Sequence, residues 1–326
     1  MTISTTPITA RAHTNIALVK YWGKADEHLM LPTNDSISLT LDQFFSTNTV
    51  QFDPRLTVDE INLDGISLPA DGQQRIRQFM DLVRQRARQT MFAHITTTNQ
   101  VPTAAGLASS ASGFAALAGA AAKAAGLSTA PRDLSRLARR GSGSASRSIF
   151  GGFVQWHAGH NDETSFAEPI VEAVDWPIRM IAVVVSRQKK KISSRVGMKA
   201  SQQSPYFQDW VRLANANIAP MTAALLKKDI NQVGRIAEHN AMSMHATTLS
   251  ATPPFTYFNA DTLRVFDIVG DLRSEGVNCY YTMDAGPNVK VICEDQDVET
   301  VLGRLRPEFG PNNLVVAKPG PGLTYR

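Results

Sequence analysis

Residues 101–111 read Val101-Pro102-Thr103-Ala104-Ala105-Gly106-Leu107-Ala108-Ser109-Ser110-Ala111 and run into an Ala-rich stretch that predicts a helix over 109–125, stopped at Gly126. Small residues let the backbone approach a ligand closely. The unpaired N–H groups of a helix start point at that ligand, and the Ser109 and Ser110 hydroxyls add donors. Together these features suit a phosphate. An N-cap serine after an ordinary loop accounts for either serine alone, but not for the whole string. No Gly-Lys-Ser/Thr closes it, so it is not a Walker A loop, and no strand-adjacent G-x-G-x-x-G occurs elsewhere.

Upstream, residues 8–20 predict a strand leading into the loop Tyr21-Trp22-Gly23-Lys24, and residues 93–98 predict another that breaks before Pro102. Between them, residues 75–91 place Ile76, Phe79, Met80, Val83 and Ala87 on one helical stripe. Arg75, Arg77, Arg84, Arg86 and Arg88 fall on the other side, which reads as a solvated face. Downstream, a helix from 132 ends at Gly141, and strands follow at 152–157 and 180–185. The second of these is a continuous apolar run, as expected of a strand buried on both faces. Helices are predicted at 230–246 and at 261–275, the latter with Leu263, Phe266, Val269 and Leu272 inward. A strand at 277–283 turns through Asp284-Ala285-Gly286-Pro287-Asn288 into a strand at 289–293. Val298, Val301, Leu302 and Leu305 then mark a helix before a last strand at 313–317. Helices on one face of antiparallel sheets give an α+β fold. The lysine-rich segment after 185 is the expected boundary between an N-terminal lobe, 1–186, and a C-terminal lobe, 187–326, with a cleft between them.

The chain has 326 residues, 43% hydrophobic, 19% charged and 7% aromatic, which excludes a disordered or collagen-like chain. Its net charge of +4 favours acidic ligands without naming one. Cys279 and Cys293 form no C-x-x-C pair, so neither zinc nor a disulfide framework is indicated, and a reducing cytoplasm fits. The opening M-T-I-S-T-T-P-I-T-A lacks the features of a signal peptide, and residues 113–127 are too short and too weakly apolar for a bilayer. A cytoplasmic protein without a membrane partner is therefore expected. His239 and His245 are six apart rather than i, i+4, so they read as structural rather than metal-ligating, and the nearby methionines read as core.

The string at 101–111 resembles the second motif of the GHMP kinase superfamily. Four further segments are similar to the mevalonate diphosphate decarboxylase branch: His13-Thr14-Asn15-Ile16-Ala17-Leu18-Val19-Lys20-Tyr21-Trp22-Gly23-Lys24, Gly141-Ser142-Gly143-Ser144-Ala145-Ser146-Arg147-Ser148, Tyr281-Thr282-Met283-Asp284-Ala285-Gly286-Pro287-Asn288, and Lys318-Pro319-Gly320-Pro321-Gly322. The resemblance runs from about residue 8 to the C-terminus. It implies a two-lobed fold with a ribosomal protein S5 domain 2-like N-terminal lobe and a ferredoxin-like C-terminal lobe, and a homodimer. It also implies that ATP phosphorylates the tertiary 3-hydroxyl of mevalonate 5-diphosphate, after which phosphate and carbon dioxide leave to give isopentenyl diphosphate.

In that frame Pro102, Ala105, Gly106, Leu107, Ala108, Ser109 and Ser110 bind ATP, with Ser109 or Ser110 the hydroxyl on Mg²⁺. A tertiary alcohol is a poor nucleophile and calls for a carboxylate to orient or deprotonate it, which Asp284 supplies. Lys20 would keep Asp284 ionised if the two meet, and Arg147 is implied for the substrate carboxylate and diphosphate. Ser142, Gly143 and Ser144 offer donors to the same substrate. Tyr21 and Lys24 are implied for its diphosphate, Asn15 for the region of the catalytic carboxylate, and Ser194 and Arg195 for its phosphates. Phosphoryl transfer rests on positioning and charge neutralisation, so clustered cations and Mg²⁺ are expected. A decarboxylase of mevalonate 5-phosphate and a mevalonate 3-kinase are close alternatives. A nucleic-acid-binding module is the alternative of another class, but it needs a basic stripe with aromatics, and the basic run 187–195 has none.

Overall fold

The structure is a computed structural model and describes residues 4–67, 70–100, 109–188 and 190–326. In chain order it builds β1 (Ile8–Val19), β2 (Lys24–Asp26), β3 (Leu31–Pro32), β4 (Ser36–Asp53), β5 (Glu60–Leu63), β6 (Ile66–Ser67), α1 (Ala70–Ala87), β7 (Phe92–Gln100), α2 (Ser109–Ala124), α3 (Pro131–Gly141), a 3-10 turn (Gly143–Ile149), β8 (Phe153–Trp156) and β9 (Ala167–Val171). There follow β10 (Ile178–Val183), α4 (Ser194–Ser201), α5 (Phe207–Ala216), α6 (Ile218–Lys227), α7 (Ile230–Leu249), α8 (Ala260–Ser274), β11 (Tyr280–Met283), β12 (Val289–Glu294), α9 (Val298–Phe309), β13 (Leu314–Ala317) and β14 (Thr324–Tyr325).

An eight-stranded sheet runs β14-β1-β4-β7-β5-β6, with β8 and β9 added along β4. A four-stranded antiparallel sheet runs β11-β12-β10-β13. The mostly alanine surface of α2 lets it lie close across β1 and β4. One core fills the space under α1, α2 and α3, and a second joins the first sheet to α5, α6, α7 and one face of the second sheet. A third lies under α8 and α9. Met180 and Ala182 enter the second core while Ile181 and Val183 enter the third, so β10 is buried on both faces, as its apolar run predicts.

The chain passes between the sheets at 172–177 and again at 318–323, and both passages meet Gly151 and Gly152. Gly152 has φ +63°, and a Cβ there would stand 2.1 Å from the Val171 carbonyl oxygen. A Cβ on Gly151 would stand 2.8 Å from the Gly322 nitrogen. The Gly152 N–H donates to the Gly320 carbonyl, and β14 then pairs with β1.

Several expectations need correction. The longest strand, β4, carries Ser36, Ser38, Thr40, Ser46 and Asn48 buried, so its core positions read as polar. The arginine face of α1 is not simply solvated: Arg84 is buried and Arg86 pairs with Asp162. Leu263 on α8 is 50% exposed rather than inward. The strand expected from 277 begins at Tyr280, and α4, α5 and α6 fill a stretch where no element is expected from the sequence. Among the described residues no helix is long and apolar enough to cross a membrane. Cys279 and Cys293 are free and buried, and burial pushes both thiols up to about 12.

Candidate active site

Strand β1 ends at Val19, and the next residue places a lysine inside the protein. Lys20 is 1% exposed, and its backbone is fixed from both sides: its N–H donates to Asn240 Oδ1 on α7 at 2.8 Å, and its carbonyl accepts from Asn34 Nδ2 at 2.8 Å. Its Nζ donates to the Ala17 carbonyl at 2.7 Å and to Asp284 Oδ1 at 2.8 Å. The two residues stand 264 positions apart in the chain and meet as a buried ion pair. Lys290 Nζ lies 3.5 Å from the other oxygen, Oδ2. Burial works against ionising Asp284, but Lys20 and then Lys290 outweigh it and hold the carboxyl well below the usual range. Asp284 is therefore a carboxylate at any working pH, and its side chain is 29% exposed.

Asp284 opens the turn after β11, and Asn288 closes that turn by pairing with the Ser186 backbone in both directions, at 2.9 and 3.0 Å. The loop after β10 is held to the same turn by Lys190, whose Nζ donates to the Ala285 carbonyl at 3.0 Å and to Ser194 Oγ at 2.8 Å. Ser193 caps α4, so Ser194 and an exposed Arg195 form its first turn.

The 3-10 turn brings up Arg147, 2% exposed. Its Nε donates to Asn15 Oδ1 at 3.1 Å and its Nη1 to Ser36 Oγ at 2.5 Å. Burial lowers this guanidinium to about 10, against the raising effect of Asp284. Asn15 also donates to the Ser144 carbonyl at 3.0 Å and to Ser148 Oγ at 2.8 Å. Its amide is thus engaged with Arg147 and the turn rather than with Asp284.

Ser142, Gly143 and Ser144 line the same loop, with the Ser142 and Ser144 hydroxyls 3.4 Å apart. A Cβ on Gly143 would stand 2.9 Å from both Trp156 and the Tyr21 ring, so no other residue fits there without displacing an aromatic. Tyr21 packs edge-on to Trp156, and its buried hydroxyl has no hydrogen-bond partner among the described residues. Burial pushes that phenol well up, while Arg147 and Arg195 pull against it. Lys24 is lowered by burial and then by Arg195, with Arg75 adding to the effect. The guanidinium of Arg75, assigned above to a solvated face, reaches the Gly141 carbonyl at 3.2 Å and so belongs to this cationic rim.

Ser142 Oγ also lies 3.4 Å from Ser110 Oγ on the first turn of α2, joining the segment expected to bind nucleotide to the segment expected to bind substrate. Pro102, Ala105, Gly106, Leu107 and Ala108 lie outside the described residues, as does the side chain of Ser109. Among the described residues no group of three or more His, Cys, Asp or Glu gathers as a metal site. His245 is buried against Tyr257 and Phe258, and burial together with Lys20 holds it down at about 3, a neutral ring. Sequence reasoning missed Asn34, Asn240, Lys290 and the place of Arg75. The available signals were a lone amide in the apolar stripe of α7 and a lysine among the apolar residues at the start of β12.

This geometry has relatives. Residues 12–167 match the model of the diphosphomevalonate decarboxylase-like N-terminal domain. Residues 180–318 match that of the mevalonate 5-diphosphate decarboxylase C-terminal domain. The chain belongs to the diphosphomevalonate decarboxylase family. It is similar to the human diphosphomevalonate decarboxylase, 35% identical with 94% of this chain and 81% of the relative covered, and to that of Aspergillus fumigatus, 38% identical with 93% and 81% covered. Among solved structures, the mevalonate diphosphate decarboxylase of Staphylococcus aureus superposes with a TM-score of 0.95 at 43% identity, and that of Enterococcus faecalis with 0.93 at 47%, each with 98% of both chains covered. Another neighbour, solved with MVAPP, AMPPCP and magnesium, has a TM-score of 0.94 at 48% identity, with 98% of both chains covered.

Proposed function

We infer that the protein is a carboxy-lyase that uses ATP to convert mevalonate 5-diphosphate into isopentenyl diphosphate, ADP, phosphate and carbon dioxide through phosphorylation of the 3-hydroxyl. One observation carries the residue assignment: a half-buried carboxylate gripped by Lys20 stands near Arg147, a buried guanidinium with no carboxylate within ion-pair distance among the described residues. A substrate with a diphosphate at one end and a carboxylate at the other supplies the missing charge. Arg147 takes the carboxylate end and the near phosphate, and Tyr21, Lys24, Ser142, Ser144, Ser194 and Arg195 take the diphosphate, with Gly143 leaving room for the Tyr21 ring. Asn15 acts on Arg147, which it orients.

Asp284 accepts a hydrogen bond from the 3-hydroxyl and fixes its oxygen in line with the phosphate to be transferred. Being held far below the ordinary carboxylate range, it is a weak base, so the proton moves only as the new O–P bond forms. Once the 3-oxygen carries phosphate it is a good leaving group. Loss of the C–O bond and of the carboxyl group then leaves the electron pair as the new double bond.

ATP would be held by residues 102–110, and Ser109 or Ser110 would hold Mg²⁺. The donor set fits a metal that arrives on the nucleotide's own oxygens, since Asp284 is already occupied by two lysines and no carboxylate cluster stands beside it among the described residues. Mg²⁺ supplies neutralisation of the triphosphate charge when bound.

The presence of two separate sheets supports a reading as two lobes, a ribosomal-protein-like N-terminal one and a ferredoxin-like C-terminal one. The pairing of β10 with β12 and β13 supports a division at residues 172–177, somewhat before the expected 186. Two buried free thiols suit the cytoplasm, and a homodimer follows from the family resemblance alone. The test is product stoichiometry: ADP, phosphate and carbon dioxide appear one for one with mevalonate 5-diphosphate. ADP without carbon dioxide means a 3-kinase, and preferred turnover of mevalonate 5-phosphate means the monophosphate enzyme.

A further inference from the structure

Lys290 is a buried cation that the chemistry above leaves without a task. It is the second residue of β12, whose neighbours Val289, Val291, Ile292 and Cys293 are apolar and buried, and it is itself 1% exposed. Its Nζ donates to the Asn288 carbonyl at 3.1 Å and stands 3.5 Å from Asp284 Oδ2, while Lys20 holds Oδ1 at 2.8 Å. Two ammonium groups from different strands thus face opposite oxygens of one carboxylate. Lys20 alone would balance the charge of Asp284. Burying a second ammonium costs desolvation that an apolar residue in β12 would avoid, so packing does not explain it. Its anchor is rigid, because Asn288 is itself clamped to Ser186.

We propose that Lys290 is a positioning residue for the decarboxylase reaction, fixing Oδ2 of Asp284 so that the carboxylate presents a set edge to the substrate 3-hydroxyl. The inference rests on the role given to Asp284 above. The groups facing that carboxylate are Lys20 at the end of β1, Lys290 on β12, Lys190 from the loop before α4, His245 on α7 and Arg147 in the 3-10 turn. His245 is neutral, so the lysines and Arg147 set the field. Removing Lys290 takes away the second of the two cations that stabilise the charged form. Lys20 still keeps Asp284 ionised, so what is lost is the fixed direction of Oδ2.

The experiment compares Lys290→Met and Lys290→Gln with the parent enzyme, measuring kcat, both KM values and the melting temperature, with Asp284→Asn as a control. Gln retains a donor for the Asn288 carbonyl and keeps the test readable if the Met variant folds poorly. Both variants should lose about tenfold in kcat, the cost of a loosened catalytic group. KM for ATP and for mevalonate 5-diphosphate should stay within about twofold. An unchanged kcat, or a fall in kcat matched by a rise in either KM or by a lower melting temperature, overturns the proposal. An inactive Asp284→Asn beside unaffected Lys290 variants removes Lys290 alone, whereas an active Asp284→Asn removes the role of Asp284 and this inference with it.

Discussion

Arg84 on α1 and Arg147 in the 3-10 turn are both buried guanidinium groups, and they meet the cost of burial in opposite ways. Arg84 forms a two-pronged pair with Asp59, at 2.8 and 2.9 Å, and takes Asp81 as well at 2.6 Å. Burial pulls its pKa down, but these hydrogen bonds outweigh that and raise it. Asp59 also accepts from the Ala93 N–H, so the cluster ties α1 to β7 and is closed. Arg147 has a neutral amide and a neutral hydroxyl, and no carboxylate within ion-pair distance among the described residues. Burial therefore prevails and its pKa drops to about 10. A matched buried charge holds the fold together, while a buried cation without an anion stores affinity for one that arrives later.

Breaking the two clusters should give opposite phenotypes. The largest effect is expected from Asp284→Asn, which keeps the shape but lacks the charge: kcat should fall about 10³-fold. Calorimetry should meanwhile show ATP-analogue binding nearly unchanged; lost nucleotide binding or near-normal turnover contradicts the assignment. Arg147→Gln should lower kcat/KM about a hundredfold through loss of charge-assisted contacts to the substrate. The ligand-free protein should melt no lower, because an unmatched buried charge has gone. Arg84→Gln should do the reverse, costing about 3 kcal/mol by stranding buried Asp59, with kcat per folded molecule intact. If both arginine variants lose stability and activity alike in denaturant titrations and steady-state assays, the contrast between them fails.

The smallest effect concerns His245. Folded, it stays neutral down to about pH 3, whereas the unfolded chain takes up its proton below 6.5. The unfolded state thus binds more protons between those values, and stability is lost as pH falls through that window. His245→Phe should melt with a shallower dependence on pH between 7 and 5 than the parent, and parallel melting curves would rule this out.

Much of the site was legible because its pieces are short and local. The 3-10 turn carrying Arg147, the turn carrying Asp284 and the end of β1 each present a recognisable string, and each element formed where its string suggested. The α+β pattern was legible for the same reason, from apolar periodicities in β10, α7 and α9. What escaped depends on meetings between distant segments. Asn240 holds the backbone of a residue 220 positions earlier, and an amide in an apolar helix stripe does not name such a partner. Lys290, one charge in a mostly apolar strand, gains its meaning only with Asp284 beside it. β4 was hidden because hydroxyl and amide side chains occupy its buried face, where Ser46 bonds Ser112 and Asn48 bonds Thr97, so burial there follows hydrogen bonding rather than hydrophobicity.

The glycine pair after the 3-10 turn has a mechanical meaning. Both passages of the chain between the sheets, at 172–177 and 318–323, converge on Gly151 and Gly152. Two covalent tethers meeting at one point would act as the pivot of any rotation of one sheet against the other, because that point would stay nearly still. The core shared by β1, β4, β10 and α7 limits the arc. Lys20 and Asp284 lie on opposite sides of this joint in the chain, so their ion pair is the latch that such a rotation would have to open.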